Sequence, residues 1–406
     1  MTYDVDALRA HFPSLGSGIA HFDGPGGTQT PRQVGEAIAA TLTGPLSNRG
    51  TGIASESNAE AAIAGFRSAC ADLLGVPPAG VVYGRSATQL CYDFSRALSK
   101  WWSPGDEVVV TRLDHDSNIR PWVQAAERAG ATVRWADLDP DTGELDLASL
   151  DAAINPRTRL VAVTAASNLV GTMPPLPHIA EAAHAVGALV YVDAVHYAAH
   201  HLVDLAALGA DLLMCSPYKF LGPHCGVLAA HPDLLDQVVP DKLAPAADVV
   251  PERFEFGTLP YETMAGVTAA VDFLAAIAPG AATTRRAQLA ASFEAIDAHE
   301  TRLRERAEHG VADLGGAFVA HSHAVRRTPT LFFSLPGRRA WDAYEFLATR
   351  GVLAPAGSFY AYEAFRRLHD HHGLADDGGL RVGMAPYTTD EDVDRLLDGL
   401  AELTHH

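Results

Sequence analysis

The chain has 406 residues, 48% of them hydrophobic, and a formal net charge of −19 with histidine neutral. That length can bury one large core and a smaller one, and the excess of acid argues against a nucleic-acid partner. No apolar run approaches the length of a membrane span, so no membrane partner is expected; the start, MTYDVDALRAHF, lacks the basic end and apolar core of a secretory signal, and a cytoplasmic location is expected.

Val5–Phe12 reads as a short helix, and Phe22–Gln29, FDGPGGTQ, as a loop by glycine and proline density, with Gly26 and Gly27 at its turn. A helix over Pro31–Leu42 precedes a loop over Pro45–Ile53, where Arg49 beside Gly50 has little packing role; a helix over Ser57–Leu74 follows. Strand Val81–Tyr83 runs through Gly84-Arg85-Ser86 into a helix reaching Lys100. Strand, small-residue turn and helix N-terminus can make an anion site, with Ala87 and Thr88 donating amides and Thr88 its hydroxyl. A plain N-cap at Ser86 is the competing reading. Glu107–Thr111 is a strand, and His115 follows its C-terminal end, where open α/β sheets place ligands. A helix to Gly130, strand Thr132–Ala136, helix Leu145–Ile154 and strand Leu160–Thr164 follow, then a turn containing Asn168 and a helix over Pro177–Val186.

The centre of the chain carries the chemistry. Strand Leu189–Val192 delivers Asp193 at its C-terminal end, and the apolar run Asp211–Cys215 delivers Ser216, Pro217, Tyr218 and Lys219. A carboxylate at one strand end and an amine just past the next is the pair a pyridoxal phosphate site needs. The amine forms the Schiff base, and the carboxylate keeps the pyridine nitrogen protonated so that the ring accepts electrons. Gly226–Ala230 follows the lysine so closely that an antiparallel strand is expected. Beyond it lie a turn-rich loop, Arg253–Leu259, and helices over Tyr261–Ile277 and Thr283–His309. Strands at Ala317–Ser322 and Thr330–Leu335, a helix over Trp341–Arg350 and strands at Val352–Pro355 and Asp377–Arg381 come next. A closing helix over Thr389–Leu403 is capped by Thr388 or Thr389. Short apolar strands alternating with helices of ten to fifteen residues predict an α/β fold, a mostly parallel sheet covered on both faces.

The patterns VDAxH and ADxxxCSxxKFxGPxxGVL, together with FDGPGGTQ, LDHDSNxxPW and FEFGTLPYE, resemble class V pyridoxal phosphate-dependent aminotransferases, and more closely their cysteine desulfurase-like subgroup. The resemblance implies transferase fold type I: a large domain over residues 20–275 with a mostly parallel seven-stranded sheet, and a smaller α+β domain from residues 1–19 and 276–406. It implies that His115 stacks on the cofactor ring, that Asn168 and His196 contact its oxygen side, and that Ser216 and Tyr218 join Ala87 and Thr88 on the phosphate. Thr258 is implied to reach the phosphate of a second subunit, which makes the expected assembly a homodimer with shared active sites. Arg381 matches the arginine that clamps an α-carboxylate, for which a planar fork is suited. Backbone donors at Gly26 and Gly27 are implied to face that carboxylate, and the Arg49 loop to approach the site. Phe359 and Tyr360 either line a side-chain pocket or pack in the small domain.

A desulfurase of this kind attacks substrate sulfur with a loop thiolate, and the resemblance places that cysteine shortly before the final arginine strand. Here residues 351–379 contain none; the four cysteines are Cys70, Cys91, Cys215 and Cys225, without a CxxC pair or a disulfide framework. The pairs His200-His201 and His371-His372 lack a recognised ligand spacing, and no metal is expected. The expectation is therefore an enzyme acting on an α-amino acid, with β-elimination at the C–S bond of cysteine or a cysteine S-conjugate first in order. Epimerisation, transamination and decarboxylation are the alternatives, and a catalytically silent scaffold the alternative of another class.

Overall fold

The computed structural model describes residues 3–405. Its thirteen strands are, in order, β1 Ala20–His21, β2 Val81–Gly84, β3 Glu107–Thr111, β4 Thr132–Ala136, β5 Thr158–Thr164, β6 Leu189–Asp193, β7 Leu212–Cys215, β8 Gly226–Ala230, β9 Val319–Ala320, β10 Thr330–Ser334, β11 Val352–Leu353, β12 Ala356–Gly357 and β13 Gly379–Gly383. Seven of them form one sheet in the order β2-β8-β7-β6-β5-β3-β4. Only β8 runs against its neighbours, pairing antiparallel with both β2 and β7; the other pairings are parallel. The expected mostly parallel sheet and the reversed strand after the lysine are both present.

Side chains alternate across each strand, and the sheet sorts them into two cores. Val109, Val161, Val163, Val190, Val192 and Leu213 face one core with the helices Ala54–Leu74, Leu176–Ala185 and Tyr261–Ala276. Val108, Val110, Leu160, Ala162, Tyr191 and Met214 face the other, against Ala87–Leu98 and Arg120–Ala129. Burial on both faces explains why these strands read as unbroken apolar runs. The edge strand β4 is half-exposed, and its Arg134 pairs with Glu107 of β3 at 2.8 Å, a charged edge that discourages further strand addition.

A second, antiparallel sheet, β12-β13-β10-β9, lies against a third core. The helix Arg285–Asp313 joins the two halves. Leu289, Phe293 and Ile296 sit in the first core, and Leu303, Ala307 and Val311 in the third. The closing helix Asp390–Thr404 starts at Thr389 with a full capping box closed by Asp392. Two features depart from expectation. β11 pairs in parallel with β1, Ala20 opposite Val352, so it ties the N-terminal segment to the C-terminal half and does not extend the small sheet. A helix over Tyr362–His372, a segment to which the sequence assigns no element, packs its few buried residues, among them Phe365 and Leu368, towards the first core.

Candidate active site

The parallel strands β3, β5, β6 and β7 end at one edge of the large sheet, and each delivers polar residues there. These strand ends enclose a cavity of about 370 Å³. Lys219 comes from the one-turn helix Pro217–Lys219 after β7 and is 9% exposed. Its Nζ donates to the Pro25 carbonyl. Burial, reinforced by the charge of Arg381 and opposed by Asp193, draws its ammonium down to about 7. Asp193, the last residue of β6, accepts the Val195 amide at 2.8 Å. Burial pushes its carboxyl up to about 6, against the pull of that amide and of Lys219.

His115 stands on the turn after β3. Its Nδ1 accepts the Ser117 amide at 3.1 Å and lies 2.8 Å from the Ser117 hydroxyl. An accepting Nδ1 leaves the ring proton on Nε2. Burial, then the charges of Lys219 and Arg381, lower its pKa to about 4, so the ring is neutral at pH 7. The turn is fixed from below by Asp114, fully buried, which accepts from the Thr111 hydroxyl and from Asn118 Nδ2 at 2.7 Å. Asn118 in turn accepts Trp122 Nε1 at 3.0 Å.

Arg381, on β13, reaches the cavity from the second sheet. Nη1 donates to the Asn168 carbonyl at 2.8 Å, and the guanidinium lies 3.7 Å above the Phe359 ring. Asn168 Nδ2 donates to the Phe359 carbonyl at 2.9 Å, and the Asp116 amide to the Tyr360 carbonyl at 2.8 Å. Those two bonds hold Phe359 and Tyr360 in the left-handed region, at φ of 56° and 59°. His196 sets Nε2 at 2.9 Å from the hydroxyls of both Thr328 and Thr330. At the far end of the cavity the helix Ala87–Leu98 begins. Ser86 caps it by accepting the Gln89 amide at 3.1 Å, and Ala87 and Thr88, in the first turn, line the wall with amides that have no intrahelical acceptor. Gly226 passes directly beneath: a Cβ there would meet the Ser86 carbonyl carbon at 2.4 Å and the Ala87 nitrogen at 2.6 Å. Ser216 and Tyr218 also line the cavity.

The family description "Aminotransferase class-V" matches residues 20–396. The chain belongs to the class-V aminotransferase family. It is 33% identical over 405 residues to an uncharacterised Mycobacterium tuberculosis protein, covering 99% of this chain and 100% of that one. It is 30% identical to a cysteine desulfurase of Dickeya dadantii, covering 98% and 96%. The crystal structure of an Escherichia coli cysteine desulfurase, in an S-sulfonic acid form, superposes with a TM-score of 0.86 at 25% identity, over 100% of this chain and 99% of that one. The cofactor of this class-V chain is pyridoxal phosphate. Its cavity fits that group. Asn168 Oδ1, His196 Nδ1 and Arg381 Nε are buried without partners, an arrangement costly to maintain unless a polar ligand meets them, and the helix start offers free amides to an anion.

Of the residues picked out in the sequence, Gly26, Ala87, Thr88, His115, Asn168, Asp193, His196, Ser216, Tyr218, Lys219, Phe359, Tyr360 and Arg381 line this one cavity. Three others do not. Gly27 lies behind the wall, and the expectation of free glycine amides needs correction: Gly26 donates to the Asp23 carbonyl at 2.7 Å and Gly27 to Gly24 at 3.0 Å, both consumed by the turn. Arg49 is outside, held by Glu60 at 2.9 Å and Glu252 at 3.2 Å, carboxylates that account for it without a ligand. Thr258 lines a separate surface hollow with Arg85 and Gln89. Asp114, Asn118, Thr328 and Thr330 were not picked out, because a residue that holds another carries no motif of its own. All four cysteines are buried. His371 and His372 approach Asp141 on the surface, His371 bonded to it at 2.9 Å and His372 to the Pro140 carbonyl at 2.8 Å.

Proposed function

We propose that this chain is a pyridoxal phosphate-dependent lyase that breaks the C–S bond of cysteine or a cysteine S-conjugate by β-elimination. The observation that carries the reading is a cavity with amine, carboxylate, imidazole and guanidinium on its walls and no thiol. Cys70, Cys91, Cys215 and Cys225 are each no more than 1% exposed, and burial raises the pKa of every one, so none supplies a thiolate to take up substrate sulfur.

Bound here, pyridoxal phosphate supplies an electron sink for the bonds at the substrate's Cα. Asp193 would hold the proton on the ring nitrogen, and neutral His115 would pack against the ring. Asn168 Oδ1, as an acceptor, and His196 Nδ1 would serve the ring's hydroxyl side, while the amides of Ala87 and Thr88, with Ser216 and Tyr218, would hold the phosphate. Arg381 takes the α-carboxylate, its plane set by Phe359 and Asn168. Lys219, drawn down to about 7, is a competent base at neutral pH. Its Nζ removes the Cα proton and returns a proton to the leaving sulfur. With cysteine and water the products balance as sulfide, pyruvate and ammonium. The working unit is a homodimer in which Thr258 serves the partner's cofactor, and a fully cofactor-loaded monomer in solution would contradict that part.

The test is L-cysteine with a thiol reductant. Sulfide, pyruvate and ammonia in equal amounts support elimination; sulfide with alanine overturns it. D-cysteine without sulfide, by chiral separation, moves the reading to epimerisation.

A further inference from the structure

The cavity's residues carry a preference in the sulfur substituent. The charged groups on the wall are Lys219, Asp193 and Arg381, and each already has a task in the proposed reaction. The two histidines are held neutral. A charged substituent on the substrate would therefore find no free counter-charge on the wall that one protomer supplies. Beside His115 the wall carries Ser117, whose hydroxyl and amide are turned to the imidazole, and the aromatic pair Phe359 and Tyr360. Phe359 is committed beneath Arg381. Tyr360 is not: its ring is 5.6 Å from the His115 ring at an interplanar angle of 30°, and the residue is 77% exposed at the cavity mouth.

Core packing accounts for Phe359, which lies against the first core, but not for Tyr360. An exposed tyrosine gains little from burial, yet Phe359 and Tyr360 are successive non-glycine residues in the left-handed region, sparsely populated by such side chains. Asn168 and the Asp116 amide hold them there through both carbonyls. Backbone held in this way beside a cavity points to a side chain being aimed. With the carboxylate on Arg381 and Cα at Lys219, the third arm of the amino acid is the one that meets His115 and Tyr360.

We propose, resting on the elimination reading above, that Tyr360 selects cysteine S-conjugates whose sulfur carries an uncharged aromatic or similarly flat apolar group, which stacks on its ring at the mouth. Free cysteine is then a poor substrate beside them.

The experiment compares S-benzyl-L-cysteine, S-carboxymethyl-L-cysteine and L-cysteine on the holoenzyme. Two readouts are taken: pyruvate release, and the half-saturating concentration for the change in the cofactor's visible band. Wild type should favour the benzyl conjugate over each of the others by about tenfold or more in kcat/KM, the size an aromatic contact supports. Tyr360→Ala should cut the benzyl-to-cysteine ratio about tenfold, mainly through KM, and Tyr360→Phe should keep it. A ratio unmoved by Tyr360→Ala, or a preference for free cysteine or the carboxymethyl conjugate, overturns the inference while pyruvate release leaves elimination standing. If no pyruvate forms but the band still titrates with a Tyr360-dependent benzyl preference, elimination falls and the role of Tyr360 stands. Neither pyruvate nor a benzyl preference in the band removes both.

Discussion

Replacing Arg381 with lysine keeps a cation in the site and removes its shape. Arg381 is 3% exposed, spends Nη1 on the Asn168 carbonyl, is stacked on Phe359 and leaves Nε unpartnered. A carboxylate docking here takes charge-assisted bonds from the rest of the fork. Each contributes about 1.5–3 kcal/mol, so loss of the planar pair costs roughly 3 kcal/mol, or about a hundredfold in kcat/KM. A second effect follows from burial. It already draws the arginine down to about 9, and a lysine starts lower, at ~10.4. The same burial carries its ammonium to near neutrality, where Lys219 already stands at about 7. The ammonium is charged below that pH and neutral above it. The variant therefore loses carboxylate binding as pH rises through ~7, whereas arginine keeps its charge. KM for the amino acid is to be measured from product release between about pH 6.5 and about pH 8.5, variant against wild type, so that titrations common to both cancel. The expected result is a deficit of about a hundredfold at the acid end that widens towards the alkaline end. A deficit under threefold or so, or one that does not change with pH, refutes the assignment of Arg381 as the carboxylate clamp.

Lys219→Ala should remove the visible band of the lysine-bound cofactor and reduce turnover to background; absorbance of the purified variant checks the first and product assay the second. Asp193→Asn should separate stability from function. The carboxyl rises from ~3.9 unfolded to about 6 folded, so its stabilising contribution is fully present below ~4 and lost as pH rises through about 6. Cofactor-free Asp193→Asn should thus exceed the wild type by roughly 2–3 kcal/mol at about pH 8 and by little at about pH 4, in denaturant melts, while turnover collapses. An equal difference at both pH values would count against the buried-acid account. Glu363→Gln breaks the ion pairs to Arg112, at 2.6 Å, and Arg120 that seat the helix Tyr362–His372. With both arginines 31% exposed, the cost should be about 1–3 kcal/mol in denaturant melts, accompanied by a raised KM as the Phe359–Tyr360 turn loosens.

The large sheet was legible because its strands are buried on both faces and punctuated by turns, and the site because Asp193 and Lys219 end neighbouring strands of a parallel sheet. Such a sheet brings its strand ends to one edge whatever the sequence between them. Arg381 arrives from the other sheet, 162 positions after Lys219 in the numbering; only the resemblance joined them. The helix Tyr362–His372 was missed because its sequence, YEAFRRLHDHH, has few apolar residues and holds its place largely by ion pairs to Arg112, Arg120 and Asp137. Those partners are distant in sequence and leave no periodic mark. The glycine turn misled for the opposite reason: Gly26 and Gly27 sit where expected, but local carbonyls claim their amides first.

The absent thiol has a structural counterpart that can be tested by restoring it. The resemblance places a desulfurase's cysteine on the loop before the final arginine strand, and in this chain the exposed cavity-lining residue of that loop is Tyr360. A thiol there would differ from the four native ones, which are buried and inert. It would be accessible, with the ammonium of Lys219 and the guanidinium of Arg381 on the same cavity wall, and nearby cations favour a thiolate. Its backbone conformation is already held by Asn168 and the Asp116 amide. In Tyr360→Cys the thiolate can attack the sulfur of bound cysteine. The electrons of the C–S bond then stay with the carbon skeleton, a proton from Lys219 completes alanine, and the enzyme keeps a persulfide. A dithiol reductant releases that sulfur as sulfide and is itself oxidised to a disulfide. The expected outcome is alanine in place of part of the pyruvate from L-cysteine, with persulfide detectable on the protein by mass spectrometry before reductant is added. Sulfide with pyruvate and ammonia but no alanine or persulfide from the variant, with the thiol confirmed free, would mean that a thiol at position 360 does not reach the substrate sulfur, and this route would be refuted.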